Sequence, residues 1–258
     1  MQKKHLGQHF LNKESVALSI VNNIPSGHVV VEIGAGKGAL TKFIVEKGFT
    51  VKAVEIDKSL VDYLKERFKS KKKIEVIHGD GRDFIFPEDC VVVGNLPYNV
   101  SKRIIRNIIF QKEKIIQAIL MVQREVADTM LALPSSSCYS RFSVFVQFHF
   151  CIRRLFNVSP DAFYPKPKVY SSCLLLKPTK AQIDNEKFLL FLNKLFLARR
   201  KTVYNNLRKA KIFTPLSLDN SRRELQANDF VVCLDIKDKR PQELSGEQIL
   251  RMYKICKN

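Results

Sequence analysis

Asn95-Leu96-Pro97-Tyr98, directly after the apolar run Val91-Val92-Val93-Gly94, carries the most specific chemistry in the chain. A short rigid turn at a strand end sets one amide side chain and one aromatic ring beside a backbone carbonyl. That set suits the exocyclic amino group of a flat base. Such a nitrogen is a poor nucleophile, because its lone pair is delocalised into the ring. The Asn95 side-chain oxygen and the Leu96 carbonyl can accept hydrogen bonds from it as it becomes tetrahedral, where preorganised dipoles do most for a reaction. Pro97 fixes the turn and biases Leu96 to an extended conformation. Tyr98 offers a stacking face. The competing reading is a β-turn with ordinary Asn and Pro preferences.

A second motif, Glu32-Ile33-Gly34-Ala35-Gly36-Lys37-Gly38, lies upstream between an expected strand and an expected helix. Glycines there let the backbone approach a ligand. The spacing is G-x-G-x-G, so the dinucleotide fingerprint G-x-G-x-x-G is not met, and a tight strand–helix turn would give the same pattern. Glu55 and Ile56 end the next strand, about 20 residues on, where a carboxylate can accept ribose hydroxyls. Asp80 ends the third strand, where an acid can meet an adenine amino group. Glycines and acids in register on one rim fit S-adenosylmethionine better than a dinucleotide. The implied chemistry is in-line methyl transfer to a base nitrogen, with most of the gain from positioning.

Lys and Arg number 44 and Asp and Glu 25, a formal net charge of +19. That excess favours a polyanionic partner. The chain is 45% hydrophobic over 258 residues, enough to bury a substantial core. The six cysteines form no CxxC pair and are expected to be buried free thiols of a reducing cytosol. The five histidines show no ligand spacing, so no metal is expected. No stretch approaches the roughly 18 apolar residues of a membrane span. No secretory signal is expected either, and a cytoplasmic protein is expected.

These motifs need a scaffold of alternating elements. Expected helices cover 12–23, 40–47, 59–68 and 101–110. Expected strands cover 29–33, 50–54, 74–77, 90–93 and 116–122. Alternation at intervals of about 20–25 residues predicts a doubly wound, mostly parallel α/β sheet. Segments 142–151 and 169–176 read as two further strands, an antiparallel pair at one edge. Beyond Pro178 the pattern becomes helical and basic. The expected domains are 1–180, carrying the cofactor and the chemistry, and a small all-helical domain, 181–258, binding RNA.

Phe163, in the proline-stiffened stretch Pro160–Lys168, is a candidate second stacking wall for a base drawn out of its helix, against the alternative of a hydrophobic plug. Phe163 has the basic neighbours Lys166 and Lys168, and basic clusters recur at Arg153-Arg154, Arg199-Arg200-Lys201, Arg222-Arg223 and Lys237 to Arg240. Each alone is also consistent with a solvated face; RNA binding is read from their summed field.

Gly7-Gln8-His9-Phe10-Leu11, Glu32–Gly36, Glu55-Ile56-Asp57, Gly79-Asp80, Gly94–Asn99 and Phe163–Val169 together resemble the rRNA adenine N6-dimethyltransferase family, over nearly the whole chain. The segments Met121–Val126, Tyr139–Val144 and Arg240–Ser245 resemble its small-subunit branch, which modifies two adjacent adenines in the 3′-terminal hairpin of small-subunit rRNA during ribosome biogenesis. The resemblance implies a Rossmann-like methyltransferase sheet and S-adenosylmethionine as cofactor. It also implies a substrate in small-subunit rRNA or a pre-30S-type particle, and a monomer. By position it implies that Gln8, His9 and Leu11 close over the methionine part of the cofactor. Gly34, Gly36, Ile56 and Gly81 would line it, Glu55 would hold the ribose, Asp80 the adenine, and Asn95 would bridge to the target base. Gly81-Arg82 stands where the family often has Ala, and His9 where Asn is common. Three other readings compete: the large-subunit branch that confers macrolide resistance, a non-catalytic RNA-binding assembly factor, and, more distantly, a DNA adenine methyltransferase.

Overall fold

The structure, a computed structural model, describes residues 9–210, 236 and 238–257. They fall into two compact units. One runs to Asp128 and resumes over His149–Thr179; the other holds Thr129–Phe148 and the described residues from Lys180 on.

The first unit is built on a seven-stranded sheet. Its strands are β2 (Val30–Ile33), β3 (Val51–Glu55), β4 (Ile74–His78), β5 (Cys90–Asn95), β6 (Ile115–Gln123), β7 (Phe150–Val158) and β9 (Ser171–Pro178), in the order β4-β3-β2-β5-β6-β9-β7. β4 through β6 pair in parallel; β9 and β7 are antiparallel. A separate antiparallel pair joins β1 (Phe10–Leu11) to β8 (Phe163–Tyr164). The parallel strands are apolar runs because helices α1 (Glu14–Val21), α2 (Ala39–Glu46), α3 (Lys58–Arg67) and α4 (Ser101–Phe110) alternate with them, and a parallel sheet is covered on both faces. Val91, Val92 and Val93 are fully buried. α4 shows the matching stripe: Ile104, Ile105, Ile108 and Ile109 face inward, while Lys102, Arg103 and Arg106 are exposed.

The expected parallel elements are present to within one or two residues at each end. One expectation fails. The pattern over 142–151 predicts a strand, but Arg141–His149 is a helix, α6, and the edge strand begins only at Phe150. Ser143 through Val146 are all buried, so the segment is apolar nearly all round, and period alone cannot separate helix from strand in such a run. The start signal is a local one. Ser140 N–H donates to Ser143 Oγ at 3.0 Å and Ser143 N–H to Ser140 Oγ at 3.5 Å, a reciprocal cap on the first turn. The cysteine expectation also fails in part: Cys90 and Cys173 are buried, but Cys138 and Cys151 are exposed, Cys151 because β7 turns it to the outer face.

α5 (Arg124–Met130) follows β6, and the division between the units falls within it, after Asp128; in the second unit α7 (Asn185–Leu195), α8 (Val203–Lys209) and α9 (Gly246–Lys257) come after α6. The Asp184 and Thr202 side chains cap α7 and α8. The Phe188 ring sits at the centre, edge-on to Phe148 and Tyr253 with centroids 5.0 Å away in each case. That packing is why Thr129–Phe148 groups with the C-terminal helices rather than with the sheet, a division a boundary at 180 does not capture. Among the described residues no helix is long and apolar enough to cross a membrane.

β2 and β5 lie where the strand order reverses. A Cβ on Gly94 would stand 2.6 Å from the Ile33 carbonyl oxygen, a backbone atom fixed in the sheet. Gly94→Ala should therefore cost roughly 2 kcal/mol or more in urea unfolding, in the range of an overpacked core site. Wild-type stability in that variant would mean that the strands can spread.

Candidate active site

A cavity of about 280 Å³ opens at the C-terminal ends of β2 through β5, the rim where the order of an open α/β sheet reverses. The glycine loop forms its floor. Gly34, Gly36 and Gly38 have φ of 74°, 57° and 79°. The φ of Gly36 favours glycine, and a Cβ there would also crowd the Phe10 ring at 3.0 Å.

Glu55 ends β3 with 3% of its surface exposed, yet it lines the cavity. Its Oε2 accepts from Gly36 N–H at 2.8 Å, and its Oε1 from Ile56 and Asp57 N–H at 2.9 Å each. A carboxylate offers about four acceptor positions, so one remains, on Oε2, for a ligand hydroxyl. The same group that faces the cavity thus ties the glycine loop to β3.

Asp80 and Gly81 line the opposite wall with Ile56. Arg82 clasps Asp80: its Nε donates to Oδ2 at 2.8 Å and its backbone N–H to Oδ1 at 2.9 Å. The guanidinium bond holds the Asp80 carboxyl below the usual carboxylate range. Gly81 is forced, since a Cβ would meet Ile33 Cγ2 at 2.4 Å. Alanine, which the sequence resemblance leads one to expect there, would push on Ile33.

Across the cavity, Asn95 Nδ2 donates to the backbone oxygen of His9 at 2.8 Å. A carbonyl only accepts, so the amide is oriented, and Oδ1 is left to accept from a ligand. A Cβ on Gly34 would lie 3.7 Å from both Asn95 O and Pro97 Cδ: the cofactor-type loop and the base-type turn abut. Leu96 is anchored by its N–H to Met121 O at 3.0 Å. The Tyr98 hydroxyl bonds Ser171 Oγ at 2.7 Å, and burial pushes its pKa up. The His9 ring lies 5.1 Å from the Tyr98 ring, with Nδ1 2.7 Å from Pro165 O, which makes Nδ1 the protonated nitrogen.

The cavity therefore gathers His9, Gly34, Gly36, Glu55, Ile56, Asp80, Gly81 and Asn95 through Tyr98. Gln8 lies outside the described residues. Leu11 and Phe163 are not brought to it. They are 7% and 3% exposed, and both belong to the core beneath. The ladder explains this. β1 and β8 pair Leu11 with Phe163 and Phe10 with Tyr164. Directly opposed residues share a face. Phe10 lines the cavity, which puts Tyr164, 67% exposed, on the cavity side of β8. Phe10 and Ile104 line the cavity too, although no sequence motif marks them as ligand-facing. The alternation at Phe10-Leu11 is the available signal, but two residues are too few to show which face is inward.

The basic candidates separate by partner. Arg154 is bound to Asp128, Lys166 pairs with Asp161 at 2.5 Å, and Arg199 donates to Ser137 O and Tyr139 O at 2.9 and 3.0 Å. Arg153, Lys168, Arg200 and Lys201 are exposed. Arg222 and Arg223 lie outside the described residues.

One buried acid sits behind the loop. Glu32, 1% exposed, accepts from Thr41 Oγ1 at 2.6 Å. Burial, with the nearby Glu55 charge, pushes its pKa from 4.5 up to about 8. The folded chain keeps a proton that the unfolded chain releases above pH 4.5. Stability from this group is therefore fully present at low pH and falls as pH rises toward 8, by at most about 1.4 kcal/mol per pH unit. Glu32→Gln should flatten that slope in urea unfolding between pH 5.5 and 7.5. An unaltered slope would mean the carboxyl is ionised in the fold.

A family profile described as Ribosomal RNA adenine dimethylase matches residues 1–239. The Ribosomal RNA small subunit methyltransferase A of Mesomycoplasma hyopneumoniae is 39% identical over 211 residues, covering 80% of this chain and 81% of that protein. The protein of the same name from Thermotoga petrophila is 38% identical over 251 residues, 95% of each. A crystal structure of a dimethyladenosine transferase from Plasmodium falciparum superposes with a TM-score of 0.83 at 26% identity, covering 95% of this chain and 96% of that one. With a methyltransferase sheet, a glycine loop and an Asn-Leu-Pro-Tyr turn meeting at its reversal point, the chain belongs to the ribosomal RNA adenine dimethylase family.

Proposed function

We propose that this enzyme transfers methyl groups from S-adenosylmethionine to N6 of adenine in small-subunit rRNA. The targets in this reading are two adjacent adenines of the 3′-terminal hairpin, modified as the small subunit is assembled. The observation that carries it is the oriented amide: Asn95 donates to His9 O, so Oδ1 points an acceptor at an incoming amino group beside the glycine loop. The Mesomycoplasma and Thermotoga relatives, whose names specify the small subunit, support that choice of RNA over the large subunit.

The donor set suits the cofactor: a buried carboxylate with a spare acceptor position for a ribose hydroxyl, an acid at the adenine end, and apolar walls from Ile33, Val54 and Ile104. When bound, S-adenosylmethionine supplies an electrophilic methyl group on sulfur. Glu55 holds the ribose and Asp80 the adenine; the Arg82 clasp must loosen or share Asp80 for that contact. Asn95 Oδ1 and the Leu96 carbonyl accept from the substrate N6 amino group and raise its nucleophilicity as its geometry changes. Tyr98 stacks on the base, its ring held by Ser171. Tyr164, on the face shared with Phe10, offers the second ring in place of Phe163. The exposed Arg200 and Lys201 of the helical unit belong to the RNA contact in this reading.

Methyl-labelled S-adenosylmethionine with unmethylated small subunits, large-subunit RNA and DNA in parallel should label N6,N6-dimethyladenosine in small subunits alone. Label in large-subunit RNA would overturn the substrate assignment, and no label anywhere would leave an assembly factor. Asn95→Ala should keep its cofactor affinity and lose turnover by about 100-fold or more, as for a lost transition-state acceptor; full turnover would remove Asn95 from the mechanism. Glu55→Ala should weaken cofactor binding by about 10- to 100-fold in calorimetry and also lower the Tm, because three backbone N–H groups lose a charged acceptor. Unchanged affinity would refute the ribose contact.

A further inference from the structure

A second cavity, of about 210 Å³, lies beyond Phe10 and shares no lining residue with the active-site cavity. Four cations line it, Lys13, Lys37, Lys42 and Arg67, against a single acid, Glu14. Lys42 is neutralised by Glu14, Nζ to Oε1 at 2.9 Å. Lys13, Lys37 and Arg67 make no ion pair with a carboxylate among the described residues, so a net charge near +3 faces one concave space.

Lys37 and Arg67 are also held in place. The Arg67 guanidinium donates to the Lys37 backbone oxygen and stacks on Phe68, 5.3 Å from its centroid. Lys37 Nζ stands 5.2 Å over the Phe10 ring. Phe10 lines the active-site cavity, so that ring stands between the basic pocket and the active site. A concave surface of one sign focuses field, and cations without acid partners keep their donors for an anion. Lys13, Lys37 and Arg67 are all exposed, so an anion from solvent can reach them, and two of the three are already oriented by a ring or a carbonyl.

We propose that this pocket seats a backbone phosphate of the substrate RNA, next to the nucleotide whose base enters the active site. The proposal rests on the RNA-methylating function. The ligand is a phosphodiester oxygen pair, bound by Lys13, Lys37 and Arg67 without readout of sequence. Its role is to fix the register of the strand while Asn95 and Tyr98 engage the base.

The test measures binding of a small-subunit rRNA fragment to the full chain across a range of KCl concentrations, with cofactor affinity by calorimetry alongside. Lys13→Gln with Lys37→Gln should weaken RNA binding several-fold and lower the slope of log K against log salt by about 0.7–0.9, the loss of one phosphate. Cofactor affinity should be unchanged, and Lys13→Arg with Lys37→Arg should restore the slope. As a control, Lys72→Gln with Lys177→Gln removes two exposed charges near the opposite ends of the strands. An unchanged slope in the pocket variant, or an equal fall in the control, would overturn the proposal in favour of a diffuse field. Inorganic phosphate bound by wild type but not by the variant, with the RNA slope unchanged, would overturn it in favour of a small phosphorylated ligand. Wild-type methyl transfer to small subunits, run separately, tells failure of this pocket from failure of the RNA reading itself.

Discussion

The close approach of β2 and β5 is the constraint on which the site depends. Their register sets Val30 through Glu32 beside Val91 through Val93, and at Gly94 there is no room for one more carbon against the Ile33 carbonyl. Because the two strands are parallel, both end on the same rim. Because they are adjacent, the loops that leave them must share one small space. The glycine loop leaves β2 and the Asn-Leu-Pro-Tyr turn leaves β5, so groups distant in sequence lie so near that a single Cβ added at Gly34 would touch both Asn95 and Pro97. A reaction between a bound cofactor and a bound base needs that adjacency more than it needs any acid or base, since positioning supplies most of the rate.

Two further ties hold the rim in shape. Glu55 binds the glycine loop through Gly36 N–H and its own turn through Ile56 and Asp57. His9 closes the other side, with its backbone oxygen on Asn95 and its ring between Tyr98 and Pro165. In both cases a residue lining the cavity is also a strut. Substitution at Glu55 thus mixes the proposed loss of binding with lost shape, whereas the Asn95 amide would report more directly on the proposed reaction.

Much of this is legible in the sequence because parallel strands announce themselves as short β-branched runs and their ends as glycines, acids and turns. The positions of Gly34, Glu55, Asp80 and Asn95 come from that pattern alone. The illegible part depends on faces and neighbours. Phe163 and Tyr164 differ only in which side of a two-residue strand they occupy, and the pairing with Leu11 and Phe10 decides it. The Arg82 clasp on Asp80 and the steric need for Gly81 are contacts, invisible to spacing. The helix at Arg141–His149 is hidden because its residues are buried nearly all round and rich in aromatic and β-branched types, leaving only a Ser–Ser cap to mark its start.

Charge explains how one chain serves two ligands of opposite demand. The proposed cofactor carries a cationic sulfur and the substrate a polyanionic backbone, and the chain is strongly basic overall. Acids nonetheless stand in and behind the cavity: Glu55 and Asp80 line it, and Glu32 is buried behind the glycine loop. Charged carboxylates there would repel the RNA of the proposed reaction. Each is handled differently. Glu32 is buried, and its pKa is pushed up to about 8. Asp80 shares its charge with Arg82. Glu55 spreads its charge over three backbone N–H groups. In the proposed reading the acids left at the cavity are those a ribose and an adenine require, while cations such as Lys13 and Lys37 lie beyond the Phe10 ring, on the lining of the separate pocket proposed for a phosphate.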